Sequence, residues 1–306
     1  MNYKYPRWSQ LPYTGEKTPP ENPEAHLAGT WPLIFLKRDE KGWFKGPLGD
    51  PIPKVRDPNS IDWDEQLEKV RKILANLTVE QQFLADYWAM GHVTKQITPI
   101  IDRLIDTYTL YRTKIPPVSM STPQAARILA LTQAAIQDAG VVTWAIKYHY
   151  DVARPTQQAQ NLPTYVCTPR HPSYVSGHSV AMGVTEVVLS YFFPEERDRL
   201  RELAEECSSA RVYGGEHFPI DTIEGLELGR AIGESLVKFF STQVDAKGNP
   251  VDRQFSGQNP FIPPGCYPYK QAIPYDFVEE CQSARFEAST WDKIKKFFIK
   301  IFRCGF

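Results

Sequence analysis

The chain has 306 residues, 42 % of them hydrophobic and 23 % charged, with a formal net charge of −1. That length suffices for one large domain or two small ones, and for a substantial core. The near-neutral balance excludes a bulk field that steers nucleic acid or an anionic membrane, so attraction for anions must be local.

Residues 1–60 are rich in Pro, Trp, Tyr and Gly and read as an irregular N-terminal arm packed on the core by its aromatics. Within it, Trp31–Leu36 and Trp43–Lys45 flank the turn-like Asp39-Glu40-Lys41-Gly42, which predicts a small hairpin. The opening Met1-Asn2-Tyr3-Lys4-Tyr5-Pro6 lacks the apolar core of a signal peptide, so the expected location is cytoplasmic. No run approaches the ~20 apolar residues of a membrane span. The five cysteines, Cys167, Cys207, Cys266, Cys281 and Cys304, show no metal-ligand spacing. Reduced thiols are expected, with a Cys266–Cys281 bridge as the alternative.

From Trp63 the pattern turns helical, and residues 61–240 read as one helical core. Leu67, Val70, Ile73 and Leu74 share a helix face. Thr78 with Gln81 forms a capping box for the next helix, and Ile97–Tyr111 is a further periodic segment. Ser121-Thr122-Pro123-Gln124 starts a long helix expected to reach Tyr150. Its stretch Ile128–Ile146 is apolar-rich, broken by Gln133, Gln137 and Asp138, as in a buried helix. Further helices are expected over His178–Phe193, Glu195–Arg211 and Asp221–Phe240. Residues 241–306 form a C-terminal arm ending in the cationic amphipathic stretch Trp291–Phe302. That stretch suits docking on the protein itself or peripheral contact with a membrane.

The chemistry concentrates between residues 147 and 221. Lys147 and Arg154 lie seven apart, so they share a face if the helix continues that far, with Pro155 ending it. Their neighbours Trp144, Ala145, Ile146 and Val152 do not belong on a wet face. Ser176-Gly177-His178 precedes an apolar helix: Gly admits close approach, and N–H groups at a helix start favour negative charge. Arg211 precedes the Gly214-Gly215 break, and His217 and Asp221 stand at i and i+4. A carboxylate there accepts the imidazole Nδ1–H and leaves Nε2 as a free lone pair for a metal or phosphorus centre. Taken singly, these features also suit a solvated helix face, a helix cap and a structural His–Asp pair.

Together they resemble the signature of the superfamily of vanadium-dependent haloperoxidases and type 2 phosphatidic acid phosphatases (PAP2). The matching residues are Lys147…Arg154-Pro155, Val175-Ser176-Gly177-His178 and Ala210-Arg211…His217…Asp221. Val175 stands where the family has Pro, and Ala210 where it has Ser. The flanks Leu77-Thr78-Val79-Glu80-Gln81, Asp86-Tyr87-Trp88, Asp138-Ala139, Trp144, Lys147-Tyr148-His149-Tyr150 and His171-Pro172-Ser173-Tyr174 resemble the haloperoxidase branch.

The resemblance implies an all-α helical bundle with irregular N- and C-terminal arms. It implies vanadate as cofactor, with His217 as its metal ligand. Lys147, Arg154, Ser176, Gly177 and Arg211 would bind the oxyanion, and His178, His217 and Asp221 would be catalytic. Hydrogen peroxide and a halide would be the substrates, with His171 and Trp144 near the halide or one layer behind it. A homo-oligomer and no nucleic-acid partner are expected. The alternatives are a soluble acid phosphatase acting on a phosphate ester through a phosphohistidine at His217, and a non-catalytic oxyanion-binding protein. His149 is expected to be structural, and His26 and His92 carry no signal.

Overall fold

A computed structural model describes residues 3–110 and 120–256, together with 291, 294 and 295. Its architecture is helical, and the two strands among the described residues form one small hairpin. In that hairpin β1 (Lys37–Arg38) pairs antiparallel with β2 (Phe44–Lys45) around the predicted turn. The helices are α1 (Trp63–Ala75), α2 (Val79–Trp88), α3 (Thr94–Leu110), α4 (Thr122–Tyr150), α5 (Pro155–Gln158), α6 (Gly177–Phe192), α7 (Arg197–Tyr213) and α8 (Pro219–Phe240). The Thr78 capping box forms in both directions, and Ser121 caps α4 with Pro123 in its first turn. Most of the amphipathic stretch 291–306 lies outside the described residues, as do Cys266, Cys281 and Cys304.

Four helices make the centre. α6 packs along α8, with α4 and α7 on its other sides. Small residues let α6 and α8 approach closely: a Cβ on Gly229 would lie 2.2 Å from the Val180 carbonyl oxygen, and one on Gly225 would lie 2.8 Å from that of Ser176. This contact brings the start of α6 against the start of α8. The Ser176 N–H then donates to the Asp221 carbonyl at 2.9 Å.

The N-terminal arm crosses the molecule and braces the segment after α4. Trp8 N–H donates to the Asp151 carbonyl, Ala153 N–H donates to that of Pro6, and Gln157 Nε2 donates to the carbonyls of Trp8 and Leu11. Tyr5, Trp8, Tyr13 and Phe44 are buried, as their aromatic character requires. The arm is fixed to α4 by Asp138. Its buried carboxylate accepts the N–H groups of Ile34, Phe35 and Leu36 at 2.7, 2.7 and 2.8 Å.

Two expectations are corrected here. α4 ends at Tyr150 as expected, but it does not continue to Arg154: Asp151 turns into the left-handed region with φ 56°, so Lys147 and Arg154 do not share a helix face. Pro155 then opens α5 instead of ending α4. Proline at the first helical position lacks only an N–H with no intrahelical partner, and it holds Arg154 extended. Second, the cysteines are not all reduced thiols. Cys167 is disulfide-bonded, and Cys207 is free and buried.

Candidate active site

Lys147 lies in the last turn of α4 and is fully buried. Its Nζ donates to the carbonyls of Pro172 and Ser173, each at 2.7 Å. Burial, and then the neighbouring Arg154, push its pKa well below the usual lysine value, while Asp221 and Glu216 oppose them. The lysine thus holds the backbone that leads into the Ser-Gly-His segment.

Arg154 reaches the same place from the N-cap of α5, not from the face of α4. Nε donates to the His171 carbonyl at 3.0 Å, and Nη1 to the Glu216 carbonyl at 2.7 Å. Nη1 also contacts His217 Nε2 at 2.9 Å, and Nη2 contacts His171 Nδ1 at 3.0 Å. A guanidinium only donates, so both ring nitrogens act as acceptors. The shorter Arg154 contact favours an accepting Nδ1 in His171, against the Pro172 carbonyl 3.2 Å from the same nitrogen. Burial, Lys147 and Arg154 all hold its pKa well below the usual range.

His217 has its other nitrogen on Asp221, with Nδ1 and Oδ2 2.9 Å apart. The Arg154 contact at Nε2 and the carboxylate at Nδ1 together fix the Nδ1–H tautomer. The pair does not form on a helix face as expected. His217 precedes α8, Phe218 is the N-cap, and Asp221 is the third residue of the helix. Asp221 Oδ2 also accepts the Phe218 N–H at 3.1 Å and the Ser173 hydroxyl at 2.5 Å. Burial pushes the Asp221 carboxyl up to about 6, against the pull of Ser173 and Lys147. Burial, followed by Arg154 and Lys147, keeps the His217 imidazole neutral well below its usual pKa. The Nε2 lone pair is directed at a cation and is not free, which corrects the sequence reading.

Ser176 is the N-cap of α6, and its Oγ accepts from Ser179 N at 3.3 Å and Ser179 Oγ at 2.9 Å. Gly177 and His178 open that helix, so the helix N-terminus faces the site. His178 Nε2 is buried with no hydrogen-bond partner among the described residues. Burial, then Arg211 and Lys147, lower its pKa well below the usual range. Arg211 comes from the last turn of α7. Its Nη1 donates to the Trp88 carbonyl at 2.8 Å, Nη2 forms an ion pair with Glu216, and Nε has no partner among the described residues.

These groups meet beneath a cavity of about 1190 Å³. Gly177, His178, Arg211, Glu216 and His217 line it, with Thr143, Trp144 and His171 as a wall. Lys147, Arg154, Ser176 and Asp221 are buried behind these lining residues. Trp144 packs against His171 with the rings tilted by 48° and their centroids 5.0 Å apart, and it donates from Nε1 to the Glu24 carbonyl at 3.2 Å. The N-terminal arm closes the opposite side with Pro19, Pro20, Glu24 and Trp31. His149 is exposed and takes no part in this lining. Val175 and Ala210, the two departures from the signature, are fully buried.

Three residues near the site went unread in the sequence. Ser173 links the segment after Lys147 to Asp221. His92 lines the cavity although it showed no motif. Glu216, 1 % exposed, stands directly before His217 and neutralises Arg211. An acidic residue inside the Arg211…His217 spacing was the available signal for Glu216. Ser173 had one only in the flank His171-Pro172-Ser173-Tyr174, and His92 had none.

A model of the PAP2 superfamily matches residues 126–245, a span holding every one of the predicted site residues. This stretch is similar to the PAP2 superfamily. No curated protein matches the chain. Among solved structures, a holo-type bacterial vanadium-dependent chloroperoxidase aligns with a TM-score of 0.56 at 13 % identity, covering 78 % of this chain and 62 % of that one. Its apo-type counterpart gives a TM-score of 0.55 at 12 % identity, covering 76 % and 62 %. A bacterial vanadium-dependent iodoperoxidase gives 0.50 at 20 % identity, covering 61 % and 52 %. The chain thus spans 52 % to 62 % of the length of these structures, and at such identities the shared property is the helical PAP2 fold.

Proposed function

We propose that this protein is a vanadate-dependent haloperoxidase that oxidises halide with hydrogen peroxide. The observation that carries the reading is His217. Its ring is oriented by Asp221, and its Nε2 is turned to Arg154 beside a cavity lined by Arg211, His178 and the start of α6. The likeness to vanadium-dependent chloroperoxidase and iodoperoxidase structures supports it. No described helix is long and apolar enough to cross a membrane, unlike what an integral-membrane phosphatase requires.

The donor set fits a tetrahedral oxyanion. Two buried nitrogens beside the cavity, His178 Nε2 and Arg211 Nε, have no partner among the described residues. Lys147 and Arg154 supply positive charge from behind, and the first N–H groups of α6 add their dipole. Bound vanadate would supply a Lewis-acidic centre that activates peroxide without changing its own oxidation state. His217 would hold that centre through Nε2, giving up the Arg154 Nη1 contact to do so. Lys147, Arg154, Ser176, Gly177 and Arg211 would balance its oxygens. His178, neutral at physiological pH, would accept a proton at Nε2 from incoming peroxide and return it. Trp144 and His171 would border the halide. Lys147 acts here as a fixed support, because both of its contacts are backbone carbonyls.

The test is halogenation of a dye by the purified protein with vanadate, peroxide and bromide. Activity that needs vanadate and disappears in His217→Ala supports the reading. Cleavage of a phosphate monoester, blocked by vanadate and without halogenation, would establish the phosphatase instead. Tight phosphate binding without either activity would point to a non-catalytic oxyanion-binding protein.

A further inference from the structure

Glu216 has no place in the mechanism above, yet it is the buried carboxylate beside the cations of the cavity. It is 1 % exposed and forms an ion pair with Arg211, itself 3 % exposed. It lines the cavity beside His217 and His178. A buried charge pair is costly to assemble, and its geometry here turns a carboxylate toward the very cation that would meet an oxyanion.

We propose that Glu216 selects the charge of the anion: it is a resident counter-anion on Arg211, and the site accepts singly charged tetrahedral oxyanions in preference to doubly charged ones. The proposal rests on the reading of these residues as an oxyanion site. The charge balance argues for it. Lys147, Arg154 and Arg211 face Asp221 alone in the signature, a formal excess of two positive charges suited to a dianion. Glu216 lowers that excess to one. Its field reaches Lys147 on α4, Arg154 ahead of α5 and Cys207 on α7. It therefore weakens the attraction at each cation that would balance the oxyanion, not only at Arg211. The other titratable groups of the lining include His92, His171, His178 and His217, the last three held neutral by burial, and Glu16, Glu24 and Arg170 on the side of the N-terminal arm. A dianion must approach Glu216 against like charge inside a poorly hydrated wall, where such repulsion is strong. A monoanion meets the remaining positive charge with far less opposition. The cavity volume of about 1190 Å³ leaves room for a substituent on a monoanionic ester.

Sulfate and methyl sulfate provide the test, since both are tetrahedral, keep fixed charges of two and one around neutral pH, and are not phosphatase substrates. Calorimetric titrations of the full-length wild type and E216Q at pH 7.5 give four affinities. The wild type is expected to bind methyl sulfate more tightly than sulfate. E216Q is expected to bind sulfate about tenfold more tightly than the wild type does, with methyl sulfate changing less than about threefold. Equal sulfate affinity in the two proteins overturns the role of Glu216 while leaving the oxyanion site intact. Absence of binding for both anions in both proteins overturns the oxyanion-site reading and this proposal with it. Should E216Q fail to fold, the wild type decides alone: tighter binding of sulfate than of methyl sulfate overturns the proposal, and the reverse order supports it.

Discussion

Asp221→Asn removes a buried negative charge and leaves the side chain almost isosteric. Oδ2 takes all three hydrogen bonds, from Ser173, His217 and Phe218, and Oδ1 has no partner among the described residues. An asparagine can put its oxygen in the place of Oδ2 and keep those bonds in neutral form. Burial raises the wild-type carboxyl from 3.8 to about 6, so above pH 6 the charged form carries a penalty on the order of 3 kcal/mol. The substitution relieves it. The new amide group in the place of Oδ1 lacks an acceptor, which costs about 1–3 kcal/mol. The two terms nearly cancel, and the stability at pH 8 should change by less than about 2 kcal/mol. The pH sign follows from the raised pKa. The folded carboxyl binds its proton more tightly than the unfolded one, so its contribution to stability is complete below about pH 4 and is lost as pH rises through about 6. The variant therefore compares best with the wild type above pH 6. Function should move far more, because a neutral acceptor no longer polarises the His217 imidazole. Oxyanion affinity should fall about 10- to 100-fold. Urea unfolding at pH 8 and pH 4.5, with vanadate titration of each protein, measures both effects. A loss of more than about 4 kcal/mol at pH 8, with unchanged vanadate affinity in the folded fraction, would refute this reasoning.

Gly229→Ala would place a methyl group 2.2 Å from the Val180 carbonyl oxygen, so α6 and α8 must separate. Thermal and urea unfolding should show a loss of about 3 kcal/mol or more, and a change within experimental error would contradict the close-packing account. Asp138→Ala leaves three backbone donors of the N-terminal arm, one buried and two part-buried, without their acceptor. It should cost about 2–4 kcal/mol and speed amide exchange at Ile34–Leu36, and slow exchange there would show that the arm is held by other means. His171 and His217 are buried with their pKa values pushed down by burial and by Arg154 and Lys147. The unfolded chain takes up protons that these rings refuse, so their stabilising contribution is present above about pH 6.5 and lost as pH falls below it. NMR titration of the ring protons should show neither ring protonating near pH 6.5, and normal titration of either would disprove that burial and the neighbouring cations hold it neutral.

Helix positions were legible because their signals are local. The Thr78 and Ser121 caps, the apolar run in α4 and the proline at the end of α6 each act within a turn or two. The site was legible as a set of residues but not as a geometry. Lys147 and Arg154 looked like one helix face, yet Asp151 breaks the helix and the arm residues Pro6 and Trp8 clamp the segment from Asp151 to Ala153. His217 and Asp221 looked like a helical pair and meet instead across an N-cap, where Asp221 holds the Phe218 N–H. Glu216 could have been noticed, but its partner depends on how α7 ends at Gly214 and turns at Gly215, which has a φ of 78°. The disulfide at Cys167 had no signal in the cysteine spacing, because pairing is set by proximity in the fold.

The central claim is that His217 Nε2 is the attachment point for an oxyanion centre. Vanadium NMR of vanadate titrated into the wild type and His217→Ala tests it most directly. A bound resonance, distinct from free vanadate, is expected in the wild type, with its loss in His217→Ala while the variant keeps its fold. The same bound resonance and affinity in His217→Ala would contradict the claim.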